Sequence, residues 1–180
     1  MEKSDIRKLI RQRKQAYSPD ELRRRSAAIV EALMHHPRLM AAQTVLLYYS
    51  MPDEVDTHDL ADGLVRQGKM VLLPKVLNDK EMGLRRYTGR QDLQACGRYK
   101  ILEHTGPVFT DYASIDLIVT PGVAFDHNGH RLGRGRGYYD RFFQRCPDAY
   151  RLALCFRFQW VEAVPVTPTD VSMNEILSEA

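Results

Sequence analysis

The residues with the greatest chemical capacity lie together in the stretch His130-Arg131-Leu132-Gly133-Arg134-Gly135-Arg136-Gly137-Tyr138-Tyr139-Asp140-Arg141. Three glycines at alternate positions hold arginines between them, and two tyrosines and an acid follow. Glycine lacks the Cβ that keeps a ligand off the main chain, and it accepts positive φ, so successive N–H groups can converge on an anion. The intervening guanidinium groups offer paired donors that match phosphate oxygens and stay charged. The chemistry such a loop serves is phosphate binding, weighed against a tight turn with solvated arginines. It is not a Walker A loop, because no Gly-Lys-Ser/Thr ends it. Nor is it a dinucleotide fingerprint, since the glycine spacing differs and its strand comes late in the chain.

Other polar residues are more ambiguous. Asp140 reads equally as a magnesium ligand beside phosphates, since hard cations prefer carboxylate oxygens, and as a first-turn acid favoured by the helix dipole. Tyr138 and Tyr139 are adjacent on the predicted helix and face different directions, so one can meet a flat ligand while the other packs. His127 and His130 flank the loop with no third ligand evident and read as surface histidines. Glu54 stands beside Asp53 and Asp56 and, taken alone, reads as a solvated loop acid. Lys3 and Arg7 share a helix face at i and i+4, a pattern most often solvated. No Ser or Cys occupies a nucleophile motif, so covalent catalysis through either has no support.

These residues need a scaffold that brings them together. Ile6, Leu9 and Ile10 predict a basic helix over Lys3 to Tyr17. Ser18, Pro19 and Glu21 predict the cap, first turn and capping box of a second helix running to about His35, with Leu22, Ile29 and Leu33 inward. Thr44 to Tyr49 predicts a core strand, and residues 51–57 a loop ending in a Thr57 cap for a helix closed by Gly68. Met70 to Val76 predicts a strand interrupted by Pro74, and Leu84 to Thr88 a short strand, with Gln91 to Pro107 irregular. Ile115 to Thr120, running into Pro121-Gly122, and Arg151 to Phe156 predict buried strands around a helix from Tyr138 to Arg145. Strands alternating with helices imply a mostly parallel α/β sheet covered on both faces. In such sheets ligands gather beyond the carboxyl ends of the strands, where residues 50–56, 74–75 and 121–140 would meet in one site. The glycine loop would then cradle phosphate at a helix N-terminus.

A length of 180 residues suits a single domain, 1–180, with a real core. With 44% hydrophobic and 27% charged residues the chain falls in the ordinary soluble globular class. The net charge of +3 is mild and concentrated in the N-terminal segment and the glycine loop. That favours acidic ligands locally and argues against an obligate nucleic-acid partner. A non-catalytic binder of nucleotides built on the same charges stays open, although few aromatics interleave with them. Cys96, Cys146 and Cys155 are odd in number without CxxC spacing, which disfavours disulfides and thiolate zinc and suits the cytoplasm. No apolar run approaches a membrane span, so no membrane partner is expected. No obligate protein partner is evident either.

Pro121-Gly122-Val123-Ala124-Phe125-Asp126 together with residues 129–140 closely resembles the signature of the 5-formyltetrahydrofolate cyclo-ligase family. Lys3-Ser4-Asp5-Ile6-Arg7 resembles that family's N-terminal nucleotide-binding segment, and residues 48–57 its folate-binding segment. The resemblance implies a three-layer α/β/α domain similar to the NagB/RpiA/CoA-transferase-like fold. It implies an ATP- and magnesium-dependent closure of 5-formyltetrahydrofolate to 5,10-methenyltetrahydrofolate through an N5-iminium phosphate, with release of ADP and phosphate. Carried over by position, it implies ATP contacts from Lys3, Arg7, Arg131 and the run Gly133, Arg134, Gly135, Arg136, Gly137 and Tyr138. The folate would meet Tyr49, Glu54 and residues 134–138, with Arg134 and Tyr138 catalytic. Asp140 and Asn174 would hold magnesium. Asn174 stands where the family commonly has aspartate, which lowers the negative charge there, and Asp170 is an alternative acid. Arg136 stands where lysine is frequent, which keeps the charge and changes its reach.

Overall fold

Local capping rules hold from the first residues of the computed structural model, which describes residues 1–96, 98 and 101–180. Helix α1 (Lys3–Lys14) starts in a reciprocal capping box between Glu2 and Asp5 and buries Ile6 and Ile10, one turn apart. It ends three residues before Tyr17, where the N–H groups of residues 15–17 turn to carbonyls three residues back. Helix α2 (Pro19–Met34) starts as expected, with the Ser18 hydroxyl accepting from the Glu21 N–H at 3.2 Å. A short helix α3 (Pro37–Ala41) follows, which no strong sequence signal announced. In α4 (His58–Arg66) the closing glycine is as expected: Gly68 has φ +82° and its N–H returns to the Val65 carbonyl. The cap differs. The Thr57 hydroxyl donates to the Tyr48 carbonyl at 2.6 Å, and Asp56 accepts from the His58 N–H at 3.0 Å instead.

The strands in chain order are β1 (Thr44–Leu47), β2 (Met70–Val76), β3 (Met82–Tyr87), β4 (Leu93–Cys96), β5 (Ile101–His104), β6 (Val108–Phe109), β7 (Leu117–Thr120), β8 (Ala124–Phe125), β9 (Arg131–Leu132), β10 (Tyr150–Cys155) and β11 (Glu175–Ser178). Seven form one sheet in the order β11-β10-β7-β1-β2-β3-β6. The first five run parallel, while β3 lies antiparallel to β2 and β6 antiparallel to β3. The sheet is therefore mostly parallel, and its strands alternate strictly between two cores. Val45, Leu47, Val71, Leu73, Leu117, Val119, Leu152 and Leu154 face a cluster with α1, α2 and α4. Leu46, Leu72, Ile118, Ala153 and Cys155 face the other, with Phe142 and Phe143 of α5 (Tyr138–Phe143). Burial on both faces with period-two alternation is what a three-layer α/β/α domain requires.

Three further expectations need correction, and one strand is new. Pro74 does not interrupt its strand: β2 pairs with β3 straight through it, opposite Leu84. Its missing N–H costs nothing toward β1, whose pairing with β2 stops at Leu72. The stretch 91–107 is not irregular throughout, because β4 and β5 pair antiparallel; residues 97, 99 and 100 lie outside those described. Helix α5 stops at Phe143 rather than Arg145. Finally, β11 extends the sheet beyond β10, reached by a segment (156–174) containing a single 3-10 turn, Arg157–Gln159. No helix among the described residues is long and apolar enough to cross a membrane.

The docking of α1 rests on apolar burial, Ile6 being 1% exposed. Ile6→Ala is expected to lower stability by about 2–5 kcal/mol, read as a shifted urea midpoint at constant slope; a change under about 0.5 kcal/mol would show that α1 is not packed there.

Candidate active site

The site forms where β1, β2 and β7 end on one side of the sheet. Beyond β7 the chain turns at Pro121-Gly122 into the β8–β9 hairpin. Gly122 has no room for a side chain, since a Cβ would lie 2.4 Å from the Phe125 ring. The hairpin is organised by Asp126, which is fully buried. Its Oδ1 accepts from the N–H groups of Asn128 at 2.9 Å and His130 at 3.1 Å. Its Oδ2 accepts from Val164 N–H at 2.9 Å and bonds the His130 ring at 2.9 Å. Burial alone would raise this carboxyl, but those partners hold it below its ordinary value. His127 stacks on Trp160, with ring centroids 4.6 Å apart, so the two histidines serve the scaffold separately.

From β9 the chain enters the glycine loop. Gly135 and Gly137 take φ of +110° and +69°, conformations that L side chains rarely adopt. Arg7 of α1 donates to the Gly133 carbonyl at 3.0 Å and fixes the start of the loop. Because α5 is only six residues long, the anion-attracting power here comes from guanidinium groups rather than a helix terminus. Arg131 has a side chain only 4% exposed. It donates to the Pro121 carbonyl at 3.1 Å, approaches Asp140 at 3.4 Å and lies over the Tyr139 ring at 5.4 Å. Its Nε has no partner, and burial depresses its basicity. A buried cation with an unused N–H favours an incoming anion. Beside it lies a small cleft of about 70 Å³ lined by His130, Thr167, Asp170 and Val171 among others.

The acids around that cleft are already engaged. Asp140 accepts from Val171 N–H at 3.1 Å. Asp170 accepts from Lys3 Nζ at 2.7 Å and Thr167 N–H at 2.8 Å; burial opposes its ionisation, yet these contacts hold it below its ordinary value. Asn174 immediately precedes β11, with Oδ1 accepting from Arg151 N–H at 2.8 Å. A metal would share that oxygen with the N–H. Among the described residues no three His, Cys, Asp or Glu side chains converge as a metal cage. A divalent cation here would have to draw most of its oxygens from a ligand and water, with Asp140, which Arg131 approaches, as the protein carboxylate available to it.

On the other wall stands the loop after β1. Glu54 accepts from Met51 N–H at 2.8 Å and from Arg134 at 3.1 Å, and Asp53 accepts from the same Arg134 nitrogen at 3.0 Å. Lys14 of α1 donates to the second Asp53 oxygen at 2.6 Å. Burial would raise the Asp53 carboxyl, but Lys14 and Arg134 hold it down. Burial would likewise weaken Arg134 as a base, but Glu54 and Asp53 raise it. Tyr49 stacks flat on His58, centroids 3.9 Å apart, with His104 edge-on at 5.7 Å. The Tyr138 hydroxyl donates to the Asn78 carbonyl at 3.0 Å, while Tyr139 turns inward to Arg131 and Phe143. Arg136 is exposed and lends its carbonyl to Arg141 at 2.8 Å.

Lys3, Arg7, Arg131, Arg134, Glu54, Tyr138 and Asp140 thus lie on the loops and helix at this end of the sheet, Tyr49 packs with His58, Tyr87 and His104, and Asn174 lies beside Arg151 of β10. Sequence reasoning missed Lys14, Asp53 and Asp126. Lys14 carried a signal, seven residues beyond Arg7 on the same helical face. Gln159, which donates to the Gly122 and Val123 carbonyls at 2.7 and 3.1 Å, carried none.

The sequence profile of the 5-formyltetrahydrofolate cyclo-ligase family matches residues 1–179. A 5-formyltetrahydrofolate cyclo-ligase of Escherichia coli strain K12 is 32% identical over 177 residues, covering 94% of this chain and 96% of that one. One from Mus musculus is 30% identical, covering 98% and 93%. Among solved structures, the 5,10-methenyltetrahydrofolate synthetase of Aquifex aeolicus superposes with a TM-score of 0.84 at 32% identity, over 99% of this chain and 90% of that one.

The Asp126 arrangement makes a pH prediction. A carboxyl held below its ordinary value of 3.8 stabilises the fold fully above that pH, and the contribution fades as pH falls through the depressed value. Asp126→Asn should cost about 2 kcal/mol at pH 7, with the gap to wild type narrowing below about pH 4. Denaturant melts between pH 7 and 2.5 test this, and a gap independent of pH would exclude it.

Proposed function

The chain belongs to the 5-formyltetrahydrofolate cyclo-ligase family, and on that premise we propose that it uses ATP to close 5-formyltetrahydrofolate to 5,10-methenyltetrahydrofolate. The observation that carries this reading is the meeting at Arg134 of two walls suited to different substrates. The glycine loop and Arg131 suit a polyphosphate, and Glu54 suits the adjacent N–H donors of a pterin. Arg134 spans them, 3.1 Å from Glu54.

In the proposed reaction Lys3, Arg7 and Arg131 hold the ATP phosphates, Lys3 turning from Asp170 to do so. Glu54 accepts hydrogen bonds from the pterin, and Tyr49 offers an aromatic face beside it. The formyl oxygen attacks the γ-phosphorus, the bond from that phosphorus to the β,γ-bridging oxygen breaks, and ADP leaves. N10 then adds to the activated carbon, its proton departs, and the carbon–oxygen bond breaks to release phosphate. Phosphoryl transfer of this kind needs alignment and charge stabilisation rather than a protein nucleophile. Arg134, the 135–137 backbone and Tyr138 line the junction where the transfer occurs. When bound, magnesium supplies charge neutralisation on the phosphate oxygens, and Asp140 would hold it. All three cysteines are free, which suits a reducing cytosol, where we place the reaction.

Purified protein mixed with ATP, magnesium and 5-formyltetrahydrofolate should produce methenylfolate, followed by its near-ultraviolet absorbance, and no ATP-dependent signal from folded protein would exclude the reading. Arg134→Ala and Glu54→Ala should each lower kcat/KM about 100-fold or more without unfolding the chain. Wild-type rates in either variant would remove that residue from the site. Asp140→Asn should raise the magnesium concentration needed for half-maximal rate, and an unchanged requirement would place the ion elsewhere.

A further inference from the structure

Arg134 is shared by two carboxylates from one loop, with a single nitrogen 3.0 Å from Asp53 and 3.1 Å from Glu54. Asp53 is itself divided, because its other oxygen lies 2.6 Å from Lys14 Nζ, a shorter contact than the one to Arg134. Three separate elements thus form a chain of alternating charge: Lys14, Asp53, Arg134, Glu54. Its members differ in freedom. The Glu54 side chain is 13% exposed and also held by Met51 N–H, whereas Arg134 is 51% exposed. The acid is fixed and the cation can leave. The reaction described above uses neither Asp53 nor Lys14.

We propose that Asp53, tempered by Lys14, is a positioning residue that holds Arg134 away from ATP until folate occupies Glu54, so that the γ-phosphate is not lost to water. This rests on the cyclo-ligase reading of the site. Without folate, two carboxylates share one nitrogen of the Arg134 guanidinium, and their charge weakens its attraction for phosphate. Water attacking the γ-phosphorus, with departure of ADP and release of a proton, then lacks that guanidinium's stabilisation. When pterin N–H donors take Glu54, Arg134 keeps only Asp53, whose charge Lys14 already partly answers. The triphosphate, carrying several charges, then competes successfully for the guanidinium. The formyl oxygen is by now the nearest nucleophile. Lys14 sets the threshold: without it Asp53 grips Arg134 harder, and without Asp53 the grip is lost early.

The test uses the full chain and two variants whose effects should have opposite signs. In Asp53→Asn, folate-free ATP hydrolysis should rise about fivefold and a non-hydrolysable ATP analogue should bind about fivefold tighter, the scale of a partly exposed ion pair. Added 5-formyltetrahydrofolate should shrink that affinity difference. In Lys14→Met, KM for ATP should instead rise about fivefold, while the conservative Asp53→Glu should keep wild-type behaviour. Thermal melts should stay close to wild type in all three. If wild type forms methenylfolate but Asp53→Asn leaves folate-free hydrolysis and analogue affinity unchanged, the inference is overturned. A shift of Asp53→Asn and Lys14→Met in the same direction overturns it equally. A wild type that forms no methenylfolate overturns the functional reading beneath it instead.

Discussion

One helix lying across the ends of a parallel sheet gives the site its shape. Lys3, Arg7 and Lys14 fall on a common face of α1, and each is committed to a different loop: Lys3 to Asp170, Arg7 to the Gly133 carbonyl, Lys14 to Asp53. Arg13 adds two bonds to the 3-10 segment after β10, to the carbonyls of Phe158 and Trp160. Partly exposed charge pairs of this kind contribute little each. The docking energy comes from Ile6 and Ile10, which are buried in the same cluster as Ala124, Leu132 and Phe158. The apolar contacts hold the helix down, and the cations fix which loop lies at which point along it.

The sheet makes that possible by its polarity. Five neighbouring strands run the same way, so the loops after β1, β2 and β7 emerge together. Residues 156–174 then cross back over this edge before returning as β11. On the way Val164 N–H binds Asp126, Val171 N–H binds Asp140 and Met173 N–H binds the Gly129 carbonyl. A backbone strap therefore adds N–H donors to two acids that the hairpin and Arg131 satisfy only in part. Its bonds to Gly129 and Asp140 flank the glycine loop on both sides.

Much of this was legible in the sequence, and for identifiable reasons. The two N-terminal helices carry capping signals and helical periodicity, and the core strands are short β-branched or leucine runs bounded by turn residues. The glycine loop declares itself by composition. What escaped was everything fixed by long-range pairing. β11 is four residues of ordinary composition that become a strand only because β10 offers an edge. The β4–β5 hairpin is largely exposed, Leu102 included, and depends on cross-strand pairing rather than on burial. Asp126 looks like any loop acid until the hairpin and the strap close around it. Thr57 has the composition of a cap, but its hydroxyl accepts from Ser50 N–H and donates to the Tyr48 carbonyl, so it does not accept from the helix.

Charge balance links the parts. Each acid at this edge already has a cation or backbone donors as partner: Asp170 has Lys3, Asp140 has Arg131 and Val171 N–H, and Asp53 and Glu54 share Arg134. Under the proposed reaction, an anion of several charges that also recruits Lys3 or Arg134 leaves the vacated acid to find another partner or stay unpaired. In that reaction a divalent cation would suit Asp140 and a pterin's N–H groups Glu54. The arrangement would then favour both ligands arriving over either alone, and specificity would arise less from any one contact with the nucleotide than from what the protein's own acids hold until the second substrate is present.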